Sequence, residues 1–353
     1  MADPARGGRK VLYLSYDGLT DPLVHVEAAH VEQEADAMST LHPQPGEGGD
    51  VASAMDDLKL PFPVQFLRRP AHPPDIPDGR QNWRPGNPIF DLVIAYFRKR
   101  EKDYFRESDA IVSLTDAGAA KVKERTATPV TVIPCCVDFD HFRLHSNEEQ
   151  AAARRTLGIP ADARVLAYLG SINERMLVGD MLKAFRAFDE KEQKAIFLVI
   201  APEGEASVRA KATELGLDPA KIVFRSCRRD EVPAVLSVAD AGIAFYRPSA
   251  AMAGCSPTKL GEMLALGLPV LVNSGIGDVD EIMGQVSGGT VAASLEATEL
   301  AKAVARLDES AGAPERIRAE ARRWFDLAGG VSKYDSLYRS LAKADRAGPS
   351  RSE

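Results

Sequence analysis

A rhythm that sets in at residue 164 constrains this chain more than any other feature. Short apolar runs at 165–169 (VLAYL), 196–200 (IFLVI), 221–224 (KIVF), 241–245 (AGIAF) and 269–273 (PVLVN) alternate with helical patterns. The helices fall near 177–190, 205–215, 230–237, 257–266, 278–283, 296–307, 314–326 and 331–343. A strand that is apolar along its length must be covered on both faces. The alternation therefore predicts an α/β fold, a doubly wound parallel sheet between two helical layers. Such sheets bind ligands at the carboxyl ends of their strands, where the strand order reverses.

Upstream the texture is uneven. Val11–Tyr16 reads as a buried strand, followed by the turn-rich Asp17–Pro22. Residues 24–88 carry proline and glycine at a density that breaks both helix and strand, with room for a short helix at 26–40 and a short strand at Val64–Leu67. Order returns with a helix over 89–107, a strand at Ile111–Leu114, a helix at Asp116–Lys123, a strand at Val130–Ile133 and a helix at Glu148–Leu157. The first half thus has residues enough for a domain but few strands. The polar ends, 1–10 and 346–353, read as flexible.

Composition narrows the function classes. A chain of 353 residues suggests two domains, and a net charge of −7 argues against a partner held by phosphate neutralisation, so no nucleic acid is expected. Four cysteines, Cys135, Cys136, Cys227 and Cys255, have no CxxC spacing, which fits free thiols in a reducing cytoplasm. No run approaches the ~18 apolar residues of a membrane span, and the start lacks the apolar core of a signal peptide. His25, His30, His42 and His72 crowd the irregular segment without the pattern of a ligand set.

Five places can carry chemistry. Gly170–Arg175 follows a strand and leads into a helix, so its backbone can cradle an anion, yet a plain turn explains it equally. Ser256-Pro257-Thr258-Lys259 opens a helix, with Ser256 as N-cap and Pro257 at the first helical position. The free N–H groups there, beside Thr258 and Lys259, suit a diphosphate. Glu262 lies three residues after Lys259 on the same face, placed to accept hydrogen bonds from ribose hydroxyls. The bland alternative is a surface ion pair between Lys259 and Glu262. Asn273–Glu281 has two glycines and acidic residues suited to the first turn of the next helix. Asp17 and Asp21 are weak candidates for a base or a hydroxyl-orienting group, and turn chemistry explains them as well. The basic run Arg98, Lys99, Arg100, Lys102 and Arg106 is a candidate contact with anionic lipid or a pyrophosphate acceptor, or a solvated face.

These segments resemble the family-4 retaining glycosyltransferases of the GT-B fold. The resemblance covers roughly 109–343 and rests on SDAIVSLT (108–115), VTVIPCCVDFDHF (130–142), VLAYLGSI (165–172), SPTKLGEMLALGLPVLVNSGIGDVDEI (256–282) and ARRWFDLAGGVSKYDSLY (321–338), with VLYLSYDGLTDPL (11–23) at the start. It implies two Rossmann-like domains facing a cleft. The acceptor-side domain would span 11–145 and be incomplete. The nucleotide-sugar domain would span 146–326, and a helix at 327–345 would cross back to the first domain. It also implies sugar transfer from a nucleotide-sugar donor to a hydroxyl acceptor, a glycan or a lipid-linked acceptor, in cell-surface polysaccharide or glycan synthesis. The setting would be cytoplasmic or peripheral at the inner face of the membrane. No metal or other cofactor is expected, because helix dipoles and basic side chains neutralise the leaving diphosphate.

Carried over by that resemblance, Glu262 matches the second glutamate of an E-x7-E motif that contacts the ribose. Ser256, Thr258 and Lys259 match the helix start at the diphosphate. Gly170, Ser171 and Arg175 match the donor loop, and Gly18 matches the N-terminal glycine loop. The chain departs from the pattern at three places. Gly254 stands where the first glutamate would, the donor loop's basic pair falls at Ser171 and Met176, and residues 24–88 replace several βα units. A catalytic group is not identified by these motifs. The alternative reading is a degenerate relative that binds a nucleotide sugar without turnover. A sugar-nucleotide epimerase of similar architecture fits the motifs less well.

Overall fold

In the computed structural model, residues 10–15, 25–30, 103–192, 194–309 and 313–346 are described. The rhythm of the second half becomes a six-stranded sheet. Its strands are β5 (Arg164–Leu169), β6 (Ala195–Ile200), β7 (Ile222–Arg225), β8 (Ala241–Ala244), β9 (Val270–Asn273) and β10 (Gly289–Ala292). Their order is β10-β9-β8-β5-β6-β7, parallel throughout. The order reverses between β5 and β8, which makes the mouth between their carboxyl ends the expected ligand position. β10 was missed in the sequence because GTVA is short and lies beyond the last strong apolar run.

The pleat explains why these strands read as continuous apolar runs. Val165, Ala167 and Leu169 of β5 enter one buried cluster, and Leu166 and Tyr168 enter another on the opposite face. The first cluster is closed by α5 (Val232–Leu236), α6 (Thr258–Ala265), α7 (Val279–Gln285) and α9 (Pro314–Phe325). The second is closed by α3 (Val178–Glu192), α4 (Glu205–Glu214) and α8 (Ala297–Glu309). Phe185 of α3 packs on Phe197 of β6 with ring centroids 5.3 Å apart.

The N-terminal sheet is smaller, with order β2-β1-β3-β4. β1 (Lys10–Ser15) pairs parallel with β3 (Ala110–Ser113), which pairs parallel with β4 (Val130–Val132). The sequence expectation of a helix over 26–40 fails at its start. Residues His25–His30 form β2, antiparallel to β1 from Lys10↔His30 to Ser15↔His25. Backbone pairing along the open side of β1 outweighs the weak local preference of HVEAAH. The rest of that helix, the strand at Val64–Leu67, residues 89–102, the histidines His42 and His72, and most of both termini lie outside the described residues.

Two further helices behave as the local sequence dictates. Helix α1 (Asp116–Lys123) is capped by the Thr115 hydroxyl, which accepts from Gly118 N at 2.9 Å. Helix α2 (Asn147–Leu157) opens with a reciprocal capping box between Ser146 and Glu149. The last helix, α10 (Leu327–Arg346), crosses back to the first sheet, where Tyr334, Leu337, Tyr338 and Leu341 cover Val112 and Ile133. Among the described residues, no helix is long and apolar enough to cross a membrane.

The units meet through polar contacts at strand ends. The Asp278 carboxylate, just before α7, accepts from Asp116 N at 2.7 Å and Ala117 N at 3.0 Å at the start of α1. The Thr115 hydroxyl donates to the Ala253 carbonyl at 2.6 Å. Asp278 thus holds the N-cap position of α7, but its side chain caps a helix 162 residues earlier.

Candidate nucleotide-binding site

The mouth between β5 and β8 is built by four side chains. β5 ends on Tyr168 and Leu169, and the chain then turns through Gly170 at φ +125°, a conformation that favours glycine. A side chain there would also collide with Lys259, whose Nζ lies 2.5 Å from the position a β-carbon would take. Gly170 is therefore required twice, by its backbone and by the lysine seated over it.

Lys259 arrives from the first turn of α6. Its ammonium donates to the Tyr168 hydroxyl at 3.2 Å, lies 3.7 Å from the Met176 sulfur, and sits over the rings of Tyr168 and Tyr246 at 4.7 and 5.4 Å from their centroids. Among the described residues it forms no ion pair with a carboxylate. Burial of the ammonium pulls its pKa down from 10.5 to about 8. Burial also pushes the phenols of Tyr168 and Tyr246 up, so both stay protonated. The Tyr246 hydroxyl is buried and has no hydrogen-bond partner among the described residues.

Asn273, at the end of β9, fixes this mouth. Its Oδ1 accepts from Tyr246 N at 2.7 Å and its Nδ2 donates to the Tyr246 carbonyl at 3.0 Å, so one amide side chain extends the ladder beyond β8. The sequence pointed to Asn273 only as the first residue of the weak Asn273–Glu281 turn and did not single out Tyr168 or Tyr246. An aromatic residue ending a strand that otherwise alternates into two cores was the available signal.

Glu262 lies one turn further along α6 and is 3% exposed. It does not pair with Lys259, so the surface ion pair offered as the bland alternative does not form. Its Oε1 instead forms an ion pair with Arg229, on the loop after β7, and makes no well-directed hydrogen bond. The Arg229 guanidinium also sits 5.2 Å from the centroid of Phe142.

The helix start differs from the sequence reading. Pro257 occupies the cap position at φ −74° and ψ 106°, and α6 begins at Thr258 with no side-chain cap. Ser256 is drawn away because its hydroxyl accepts from Cys135 N, 3.2 Å across the junction between the units. The first-turn amides of α6 are thereby left uncapped by any side chain. Ser171 is exposed, and its carbonyl accepts from the Tyr168 hydroxyl at 2.8 Å. Arg175 anchors the loop through its backbone, accepting from Arg247 N at 2.7 Å and donating to Asn173 Oδ1 at 3.0 Å. Asp17, Gly18 and Asp21 lie outside the described residues, as do Arg98, Lys99, Arg100 and Lys102, while Arg106 pairs with Asp103 at 2.9 Å.

All four cysteines are free thiols. Burial raises the pKa of Cys136 and Cys227, and that of Cys255 to about 11, so these three are poor nucleophiles. Among the described residues no group of three or more histidine, cysteine, aspartate or glutamate side chains is arranged to hold a metal ion.

Two α/β units, the larger on a parallel sheet whose strand order reverses and the smaller on a mixed sheet, make the GT-B architecture. Residues 149–324 match the family described as glycosyl transferases group 1, so the chain carries a glycosyltransferase domain on that fold. It is similar to the 2-deoxystreptamine glucosyltransferase of Streptomyces kanamyceticus, 26% identical over 227 residues, covering 59% of this chain and 56% of that protein. It is also similar to the D-inositol 3-phosphate glycosyltransferase of Saccharomonospora viridis, 34% identical over 122 residues, covering 32% of this chain and 26% of that protein. The chain thus spans little more than half the length of one of these relatives and about a quarter of the other. Among solved structures, sucrose-phosphate synthase from Thermosynechococcus elongatus superposes with a TM-score of 0.57 at 18% identity, covering 71% of this chain and 62% of that one. Anabaena Alr3699/HepE in complex with UDP-glucose superposes with a TM-score of 0.57 at 16% identity, covering 70% of this chain and 68% of that one.

Proposed function

We propose that this chain is a glycosyltransferase that moves a sugar from a nucleotide-sugar donor to a hydroxyl acceptor with retention of configuration. Its place would be the assembly of cell-surface polysaccharide or another glycan. The observation that carries the reading is Lys259. A partly buried cation with its pKa drawn down to about 8, and no carboxylate paired with it among the described residues, sits at the strand-order reversal beside the uncapped first turn of α6. That arrangement costs free energy unless an anion completes it, and a diphosphate brings the charge and the acceptor oxygens to do so.

In this reading Lys259, the amides of Thr258 and Lys259 and the Thr258 hydroxyl hold the diphosphate of the donor and the developing charge of the leaving group. A metal ion is not required for that role. The Gly170–Arg175 loop bounds the donor, and Glu262 takes the ribose hydroxyls. The acceptor, a glycan or a lipid-linked hydroxyl, meets the N-terminal unit, which spans 11–145. A cytoplasmic face and a membrane contact through 98–106 go with such an acceptor.

Calorimetric titration of the full chain with UDP, GDP and their sugar conjugates tests this, followed by a sugar-release assay with and without a chelator. Glu262→Ala should weaken nucleotide binding by at least about tenfold, the weight of a lost hydrogen bond to a charged group. Chelation should leave the rate unchanged. Folded protein that binds no nucleotide would refute the reading. The second reading, a binding module without turnover, is favoured by Gly254 in place of the donor-side glutamate, and nucleotide binding without transfer or donor hydrolysis would establish it.

A further inference from the structure

The carboxylate assigned to the ribose is sealed. Glu262 is 3% exposed, and its Oε1 is out of reach of solvent without a well-directed hydrogen bond. The one cation in ion-pair contact with it among the described residues is Arg229, whose own side chain is 66% exposed. The two partners are therefore asymmetric. Glu262 is fixed on a buried helical turn. Arg229 stands on the surface loop 226–231, at the carboxyl end of an edge strand, and rests its guanidinium on the Phe142 ring. Its loop is tied to the segment between β4 and α2 by a long contact, 3.4 Å from His141 Nε2 to the Arg229 carbonyl. A hydroxyl can reach Glu262 only if something moves, and the exposed arginine is the partner with room to do so, provided the incoming hydroxyls replace its contact with the carboxylate.

We propose that Arg229 is a lid residue for the donor site. Its guanidinium neutralises and covers Glu262 while the site is empty, and it swings out when ribose hydroxyls take over the carboxylate. This inference rests on the assignment of Glu262 to the donor ribose. Arg229 thereby sets the threshold for donor binding: a ligand without two vicinal hydroxyls offers Glu262 too little to displace the ion pair. The empty site also avoids the cost of a buried carboxylate without a partner.

The test compares full-length wild type, Arg229→Ala, Arg229→Lys, Glu262→Gln and the double variant Arg229→Ala/Glu262→Gln. UDP and GDP are titrated into each, alongside the corresponding 2′-deoxynucleotides. With the lid gone, ribonucleotide binding should tighten at least about fivefold, because an ion pair whose carboxylate end is buried no longer has to be broken. The Lys variant should stay near wild type. In the Glu262→Gln background, removing Arg229 should change nothing. Weaker binding in both backgrounds would mean that Arg229 touches the nucleotide directly and would overturn the lid. An independent readout needs no nucleotide: carbodiimide-driven amidation of Glu262, followed by peptide mass spectrometry. Labelling should be slow in the wild type and several-fold faster in Arg229→Ala. Unchanged labelling overturns the lid whatever the nucleotides do, whereas failure of all variants to bind nucleotide would strike the donor assignment and leave the labelling to decide the lid.

Discussion

The six-stranded sheet and the four-stranded sheet of this chain face different problems of burial. In the larger sheet each central strand feeds two cores, and residues such as Leu166, Phe185, Leu198 and Leu271 are fully buried. In the smaller sheet the clusters among the described residues are slight: Phe105, Ile111 and Val122 on one side, Val112 and Ile133 on the other. The second of these is closed by α10, which comes from the far end of the chain. The C-terminal unit can therefore hold its own shape, while the N-terminal sheet depends on contacts from outside it. That dependence explains why α1 takes its second cap from Asp278 and why Ser256 is spent on Cys135.

Deep truncation in the larger core should have the largest effect. Phe185→Ala removes a fully buried ring from the α3–β6 contact and should cost about 3–5 kcal/mol in denaturant unfolding. A cost below about 1 kcal/mol would mean that the larger unit is as loosely filled as the smaller.

Lys259→Met comes next and has the opposite sign. The folded-state pKa of about 8 lies below the ordinary 10.5, so between those values the unfolded chain binds more protons and wild-type stability rises with pH. At pH 7 the buried charge costs of the order of 3 kcal/mol, which methionine removes. The variant should be more stable than wild type at pH 7, lose that advantage as pH climbs from about 8 towards 10, and bind no nucleotide. A less stable variant at pH 7 would count against a strained, unpaired lysine.

Asp278→Ala should cost about 1 kcal/mol, as for loss of a helix cap, and should release the amides of Asp116 and Ala117 to faster hydrogen exchange. Unaltered exchange would mean that the two units do not lean on each other there. The smallest effect belongs to Glu320→Gln, within the larger unit. The hydrogen bond from Ser287 N, with help from Arg316, lowers the Glu320 carboxyl from 4.5 to about 2. Its stabilisation is complete above the unfolded value and is lost as pH falls from about 4.5 to about 2. The acid limb of the stability curve should be shallower in the variant.

The larger unit was legible because its strands are buried on both faces and its helices carry local start and stop signals. Five of its six strands follow from period alone, and so does the presence of α6, although the Ser256 cap read from its start does not form. β2 was not legible. HVEAAH has no strong period, and its strand exists only through the neighbouring edge of β1. The site divided in the same way. Gly170, Lys259 and Glu262 stand out by residue type and spacing, but their partners Tyr168, Tyr246, Asn273 and Arg229 come from other strands and loops.

The sequence by itself determined a doubly wound second half, a glycine turn after β5 and a cation near the start of α6, because backbone sterics, pleat and helical period act over a few residues. Only the tertiary structure decided where the side chains at these positions go. Spacing allowed Lys259 and Glu262 to pair with each other, Ser256 to cap its own helix, and Asp278 to cap α7. In the folded chain Lys259 turns to two tyrosines, Glu262 to Arg229, Ser256 to Cys135 and Asp278 to α1. A buried charge or hydrogen-bonding group takes whatever complementary group the packing brings within reach, and that group is chosen by the fold rather than by distance along the chain.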